Sequence, residues 1–261
     1  MARFCPLFSS SSGNCIYIGS GSTNILIDCG VSAKKIVCAL HNLGIEKSDL
    51  SAIFITHEHS DHICGLHAFA AKTGIPVFAS SITAKTLEEI GSVIKDVDLN
   101  VLDDSIKIGT LTVSRFNTIH DCEGSSGYRV DMEDGNSFAV CTDTGIVTDE
   151  IRKGITGCQL VMIESNHDVN MLQKGPYPPQ LKMRIISDKG HLSNGTCASE
   201  LSSLIKSGTT MIVLGHLSKN NNLPQIAYST ARSVLLKDGF IENQDYILYV
   251  APPENAKLIS L

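Results

Sequence analysis

The stretch Ile53-Phe54-Ile55-Thr56-His57-Glu58-His59-Ser60-Asp61-His62 carries most of the information about this chain. It begins with apolar, strand-favouring residues and ends with three histidines and two carboxylates in six positions. Imidazole nitrogens and carboxylate oxygens are the ligands that borderline divalent cations prefer. Two histidines can meet by chance in a solvated loop. The pattern H-x-H-x-D-H directly after a buried strand instead favours a metal centre.

Composition and charge set broad limits on the class of protein. The chain has 261 residues, of which 43% are apolar and 18% charged, as in ordinary globular proteins. This length fits one large domain or two small ones. A net charge of −6 argues against electrostatic binding of nucleic acid or membrane by the whole surface, but it leaves a local basic strip possible.

The cysteines and the amino terminus predict a cytoplasmic protein. The nine cysteines form no C-x-x-C pair, and their total is odd, which favours a reducing compartment over a disulfide framework. The first residues contain no long apolar segment, and no apolar run in the chain approaches the length that crosses a membrane. We therefore expect no membrane partner.

Chemically versatile side chains recur where predicted strands end. Short hairpins open each half of the chain and then alternate with helices, which predicts an α+β fold of two packed mixed sheets with helices outside. A single histidine at a strand end is usually structural. Here the polar residues at strand ends are numerous, which favours one site at one edge of the sheets. They are Asp28, His57 to His62, His120, Asp143, Asn166, His167 and His216.

With these motifs in view, the chain resembles the metallo-β-lactamase-fold hydrolases along its whole length. The resemblance implies an αββα sandwich, two mixed sheets with helices on the outer faces, and two divalent metal ions, zinc or manganese with iron as a further option. It implies that His57, His59 and His120 hold one ion, that Asp61, His62 and His216 hold the second, that Asp143 bridges them, and that Asp28 orients a ligand or the motif loop. The shared carboxylate agrees with electrostatics, because cations about 3.5–4 Å apart need a common anionic ligand.

Three further segments are similar to those of the YycJ/WalJ-type subgroup of bacterial exonucleases. They are the loop Phe4 to Asn14, the segment Glu164 to Asp168, and Gly190-His191-Leu192-Ser193-Asn194. The last also resembles the His-x-Ser phosphate-binding motif of RNA-processing nucleases of this fold. Those relatives carry an additional large domain that this chain is too short to hold. The sequence shows no internal repeat and no low-complexity linker that would divide it, so we predict a single domain over residues 1–261 without a large inserted domain.

The first motif alone does not choose among phosphodiesters, thioesters, lactones and β-lactams. A carboxylate at Asp143 keeps the site hard, which suits phosphate oxygen. The irregular, proline-containing segment 174–189 carries Lys174, Lys182, Arg184 and Lys189, and we weigh a phosphate-binding strip equally with a solvated loop. Donors that suit a phosphate follow at Asn166, His167, His191 and Ser193.

Residue roles follow from these assignments. We predict Asp61 and His191 as catalytic residues, with His191 binding a phosphate oxygen or protonating the leaving oxygen. Ser193 starts a helix whose N–H groups suit an anion, although it also serves as an ordinary cap. The serine run Ser9 to Ser12 is more typical of a polar turn than of a binding site.

The sequence thus predicts a dinuclear phosphodiesterase, a DNA exonuclease by resemblance, with a metal-bridging hydroxide as nucleophile. One alternative is a thioester or lactone hydrolase of the same fold. The other is a metal-binding module without catalysis that interacts with nucleic acid. The sequence leaves open the native metal, the preference for DNA over RNA, and the oligomeric state.

Overall fold

Two mixed β-sheets form the centre of the protein, in a computed structural model that describes residues 1–71, 73–93 and 95–261. The strands are β1 (Ala2–Phe8), β2 (Cys15–Ser20), β3 (Thr23–Ile27), β4 (Ala52–Phe54), β5 (Val77–Ala79), β6 (Leu99–Val101), β7 (Ser105–Ile108), β8 (Leu111–Asn117), β9 (Ser126–Met132), β10 (Ser137–Cys141), β11 (Leu160–Glu164), β12 (Met211–Gly215), β13 (Ile247–Val250) and β14 (Ile259–Ser260). The helices are α1 (Ala33–Asn42), α2 (Ser60–Ile63), α3 (Leu66–Ala70), α4 (Ser81–Glu89), α5 (Asp149–Ile155), α6 (Val169–Lys174), α7 (Pro179–Ile186), α8 (Asn194–Lys206) and α9 (Pro224–Lys237).

Each half of the chain builds one sheet, except that β14 from the end of the chain pairs with β1 in the first sheet. The first has the strand order β14-β1-β2-β3-β4-β5-β6, and the second has the order β13-β12-β11-β10-β9-β8-β7. Antiparallel hairpins open each half, and parallel strands follow from β3 to β6 and from β10 to β13. Parallel strands place their carboxyl ends at one edge, so side chains that follow them gather there.

Side-chain alternation divides the apolar residues between three layers of core. In β3, Ile25 and Ile27 point into the space between the sheets, where they join Phe4, Phe138 and Val140. Leu26, between them, points outward, as the two-residue period of a strand requires. The middle layer is therefore made by both sheets, and it fixes how they face each other.

Helices cover both outer faces of the sheets. On the first sheet, α1, α3 and α4 pack through buried side chains such as Leu40, Phe69 and Leu87. On the second, α5, α8 and α9 pack through Ile151, Leu201 and other residues. The order helix, sheet, sheet, helix is the αββα sandwich that the sequence predicted, and that prediction is confirmed. The single-domain assignment over residues 1–261 stays a prediction.

The segment from Lys174 to Lys189 was predicted to be irregular, and that prediction was wrong. It contains α7, in which Pro179 occupies the first turn. Proline fits there because its fixed φ suits the helix and its missing N–H would have no partner within the helix. In the described part of the chain, no helix is long and apolar enough to cross a membrane.

Candidate active site

The predicted ligands meet at one edge of the two sheets. Asp28 follows β3, His57 follows β4, Asp143 follows β10 and His216 follows β12. Most of these side chains are buried: Asp28, His57, His62, His120, Asp143 and His216 are each at most 5% exposed. Burial of so many titratable groups in one place is costly unless they bind a cation or each other.

The first set of nitrogen atoms has the spacing of a metal site. His57 Nε2 lies 3.0 Å from His59 Nδ1, which lies 3.3 Å from His120 Nε2. A tetrahedral ion with bonds of 2.0–2.1 Å to nitrogen would place its ligands about 3.3 Å apart. His59 Nδ1 therefore has about this separation from both of the histidines with which the sequence grouped it, His57 and His120.

The second set is slightly wider. Asp61 Oδ2 lies 3.6 Å from His62 Nε2 and 3.5 Å from His216 Nε2. His216 is more than 150 positions away along the chain, and it reaches the motif because β12 ends at the same edge as β4. The three ligand atoms lie close enough together to hold one ion.

Asp143 lies between the two sets. Its Oδ2 atom is 3.3 Å from His62 Nε2, and its Oδ1 atom is 3.8 Å from His120 Nε2. Asp143 Oδ2 and His216 Nε2 are buried and lack a hydrogen-bond partner within the described part of the protein. Orphaned buried polar atoms of this kind are rare, and cations that bind between them would satisfy both. The donor set fits a pair of divalent ions.

Each histidine of the cluster also has a contact at its other nitrogen. His62 Nδ1 is 2.7 Å from Asp28 Oδ2, and His216 Nδ1 is 2.7 Å from Glu164 Oε1. His120 Nδ1 is 3.1 Å from the carbonyl oxygen of Gly190. When Nδ1–H donates to these oxygens, the lone pair of Nε2 is directed into the cluster. This is the arrangement that metal-binding histidines use.

The carboxylates around the cluster change the pKa values of the histidines. Burial alone would lower the pKa of His62, but Asp143 and Asp28 outweigh it and hold that pKa well above its ordinary value. For His216, burial is again opposed, chiefly by Asp143, and the pKa rises to about 10. Without a cation, protons therefore balance the negative charge, so metal ions and protons compete for these nitrogens.

Backbone strain is concentrated at the site. Asp28, Asp143 and His216 have positive φ values of 64°, 57° and 54°. Residues with a Cβ adopt this region at a cost of about 1–2 kcal/mol, and such outliers occur most often at functional sites. Close packing adds a further constraint, because a Cβ on Gly30 would lie 1.7 Å from the carbonyl oxygen of Asp61.

Glu164 is a functional residue to which the sequence motifs alone assigned no role. It is completely buried at the end of β11, and its Oε1 atom lies 2.8 Å from His191 Nδ1 as well as 2.7 Å from His216 Nδ1. Burial would raise the pKa of Glu164, but the charge of His191 and both hydrogen bonds hold it below its ordinary value. A signal was present, since a carboxylate that ends an otherwise apolar buried strand needs a partner.

His191 keeps access to solvent, with 17% of its side chain exposed. Its Nδ1 atom is held by Glu164, so Nε2 is the nitrogen left for a substrate. Ser193 caps α8 by accepting a hydrogen bond from the backbone N–H of Thr196, at 3.1 Å. The capping role that the sequence allowed for Ser193 is therefore present, and it leaves the start of α8 beside His191.

The predicted substrate residues Asn166 and His167 have different environments. Asn166 is 3% exposed, and its side-chain amide donates to the backbone carbonyl of His216 at 3.0 Å. This contact favours a role in holding the strained His216 backbone over direct contact with substrate. His167 lines a cavity with His191 and Ser193, and its Nδ1 atom is buried without a partner in the described part of the chain.

The basic strip is largely engaged within the protein. Lys182 donates to the carbonyl oxygens of Gln173 and Gly175, both at 2.7 Å. Arg184 pairs with Asp121, whose Oδ1 atom lies 3.2 Å from His120 Nε2. The Lys182 contacts attach α7 to the segment that precedes it, and the Arg184 contact attaches α7 to the first ligand set. Arg184 nevertheless stays half exposed, and Lys174 and Lys189 are exposed as well.

Comparison with known proteins identifies the family of this chain. The sequence pattern of the family described as "Beta-lactamase superfamily domain" matches residues 23–215, which contain the motif loop and β12. The chain belongs to this family. It is 35% identical over 97% of its length to the exodeoxyribonuclease WalJ of Streptococcus pneumoniae, of which it covers 96%.

Two further relatives also match this chain over nearly its whole length. The chain is 34% identical to the exodeoxyribonuclease YycJ of Bacillus anthracis, over 97% of the chain and 96% of that protein. The crystal structure of the metallo-β-lactamase-fold protein YhfI from Bacillus subtilis superposes with a TM-score of 0.72, over 99% of this chain and 98% of that one, at 14% identity. The resemblance from the sequence motifs is confirmed at the level of fold and family.

Proposed function

We propose that this protein is a metal-dependent exonuclease that hydrolyses phosphodiester bonds of DNA with two divalent ions. The observation that carries the two-ion part is the buried Asp143 carboxylate between two sets of ligand atoms. The full-length relatives named as exodeoxyribonucleases support the choice of substrate. The free cysteines support action in the reducing cytoplasm.

The residues fall into three groups by task. His57, His59 and His120 would hold one ion, Asp61, His62 and His216 the other, and Asp143 both. Bound there, such ions supply positive charge for phosphate oxygens and lower the pKa of water, and zinc or manganese suits this donor set. Asp28 and Glu164 keep the nitrogens of His62 and His216 directed inward.

His191 has the position of a proton donor. Glu164 accepts from its Nδ1 atom and favours the charged imidazole, so the pKa of His191 is raised although burial opposes this. A charged His191 directs Nε2–H towards the edge where the substrate phosphate would lie. It would donate a hydrogen bond to a phosphate oxygen or a proton to the leaving oxygen. The amino-terminal end of α8 favours the same negative charge.

End-labelled DNA tests the proposal directly. The protein, purified without chelators, is incubated with Mn²⁺ or Zn²⁺ and with 5′-phosphorylated duplex DNA, single-stranded DNA or RNA, beside a panel of thioesters and lactones. We expect stepwise shortening of DNA that stops in chelator and returns when the ion is added back. Fast thioester or lactone turnover with intact DNA would overturn the proposal in favour of a small-molecule hydrolase. Metal binding with no turnover of any substrate would favour a binding module.

A further inference from the structure

A cavity of about 370 Å³ opens next to His216 of the second set of ligands. One wall is formed by Ser9, Ser10 and Ser12 of the serine loop (residues 9–14), and another by residues of the segment 217–224 that follows β12. Apolar surface is contributed by Leu217, Leu223, Pro224, Ala251 and Pro253, and hydroxyl groups by Ser9, Ser10, Ser12 and Ser218. None of these residues belongs to the proposed metal or proton-donor sites.

The two walls of this cavity are continuous with the ligands. Ser9 Oγ accepts the backbone N–H of His216 at 2.9 Å, and Leu217 directly follows His216. At the other end of the loop, Asn14 Nδ2 lies 3.4 Å from Asp61 Oδ2 and 3.1 Å from His62 Nε2. A molecule held at the ligands by its phosphate would therefore have its next group within reach of the cavity.

The lining has the chemistry of a nucleobase site. A base has flat apolar faces and a polar edge, and the cavity offers prolines and leucines together with hydroxyl groups. Lys219 is the one charged residue among those that line it, so no described carboxylate there repels a polyanion, although the whole chain has a net charge of −6. An acyl chain would use the apolar surface but not the hydroxyls or Lys219.

We propose that this cavity binds the nucleobase of a nucleotide adjacent to the phosphate that is cleaved. The assignment rests on the proposed nuclease function and adds a base subsite to it. The lining has no aromatic ring on which one base would stack preferentially, and serine hydroxyls both donate and accept hydrogen bonds. The subsite therefore requires a base but tolerates all four.

Mononucleotides separate the contribution of the base from that of the phosphate. Binding of thymidine 5′-monophosphate, deoxyadenosine 5′-monophosphate and base-free deoxyribose 5-phosphate to the metal-loaded protein is measured by calorimetry. We expect both nucleotides to bind about fivefold or more tighter than the base-free phosphate, because burying about 40 Å² of apolar base surface at about 25 cal/mol per Å² corresponds to that factor. Equal affinities would overturn the base subsite.

A negative charge introduced at the mouth of the cavity tests whether the base binds there. Leu223 is 49% exposed and occupies the cap position of α9, where aspartate is a favourable residue, so Leu223→Asp should fold normally. The matched control is Leu236→Asp on the same helix, at a position 58% exposed and outside the cavity. We expect Leu223→Asp to remove the preference for nucleotides over the base-free phosphate, and Leu236→Asp to retain it. Equal effects of both variants would refute the location.

The nuclease assay on the wild-type protein tests the proposed function, and the binding measurements test the base subsite. Intact DNA with every ion would refute the proposed function, while the calorimetric comparison would still decide whether the cavity binds a base. DNA cleavage with equal binding of nucleotide and base-free phosphate would refute only the subsite. Preferential binding of an S-acyl thioester with an octanoyl chain, abolished in Leu223→Asp, would assign the cavity to an acyl group and overturn the inference.

Discussion

Replacing Glu164 with glutamine exchanges one carboxylate oxygen for an amide at a completely buried position. The native side chain accepts four hydrogen bonds. His191 Nδ1 and His216 Nδ1 lie 2.8 and 2.7 Å from Oε1, and the backbone N–H groups of Thr144 and Leu192 each lie 3.1 Å from Oε2. A glutamine of the same shape offers one acceptor atom and one donor group to these four donors.

The size of the effect follows from that mismatch. In one orientation of the amide, both histidine contacts are lost, and at about 1.5–3 kcal/mol for each charged hydrogen bond the cost is about 3–6 kcal/mol. In the other orientation, two buried backbone N–H groups lose their acceptor, at about 1–3 kcal/mol each. Loss of the partner of His191 should reduce turnover about 10²- to 10⁴-fold, because proton transfer contributes that much. Loss of the contact with His216 should weaken metal binding about 10- to 100-fold.

Three measurements check Glu164→Gln: unfolding in urea, metal affinity by competition with a chromophoric chelator, and kcat on DNA with saturating metal. Glu200→Gln is the matched control, because it removes a part-exposed carboxylate that pairs with Arg152 on the surface. The control should lose at most about 1 kcal/mol of stability, with metal affinity and kcat unchanged. If Glu164→Gln matched its control in stability, metal affinity and kcat together, neither orientation of the amide would account for the result, and the proposed roles of Glu164 would be wrong.

Three other predictions address the same cluster. His191→Ala should keep the full metal content while kcat falls about 100-fold or more, because it removes the proton donor but no proposed ligand; a parallel loss of metal would make His191 a ligand. Loading metal-free protein at pH 7 should release about two protons, because His62 and His216 have raised pKa values and must be neutral to coordinate, so metal affinity should increase with pH. Calorimetry in buffers of different ionisation enthalpy measures this release, and its absence would contradict the assignment of these ligands. Asp28→Asn should lower metal affinity about 10- to 100-fold, because it removes the carboxylate that orients His62, and an unchanged affinity in chelator competition would exclude that role.

The fold was predictable because periodicity and motif order agree along the whole chain. Alternation in β3, with Ile25 and Ile27 on one face and Leu26 on the other, reflects packing on both sides of a sheet. The segment containing α7 was the exception. Its prolines suggest irregular structure, and their compatibility with the first turn of a helix depends on the backbone around Pro179.

The sequence predicted which residues form the site, but it predicted only some of the contacts between them. The sequence grouped His57, His59 and His120 through a resemblance, and the structure brings their nitrogens together. It could not show that Asn166 donates to the carbonyl of His216, because such a contact depends on how β11 and β12 end side by side. It could not show that Glu164 serves two histidines at once, since neither the pairing of the strands nor the positive φ of His216 is encoded in a local pattern.

The metal content of the protein tests the central assignment most directly. Elemental analysis of the wild-type protein, purified without chelators and then loaded with Mn²⁺ or Zn²⁺, should give about two ions per chain. Asp143→Ala should hold fewer ions and lose DNA hydrolysis, because it removes the carboxylate that lies between both ligand sets. One ion per loaded wild-type chain, or two ions retained by Asp143→Ala, would contradict a two-ion centre built on Asp143.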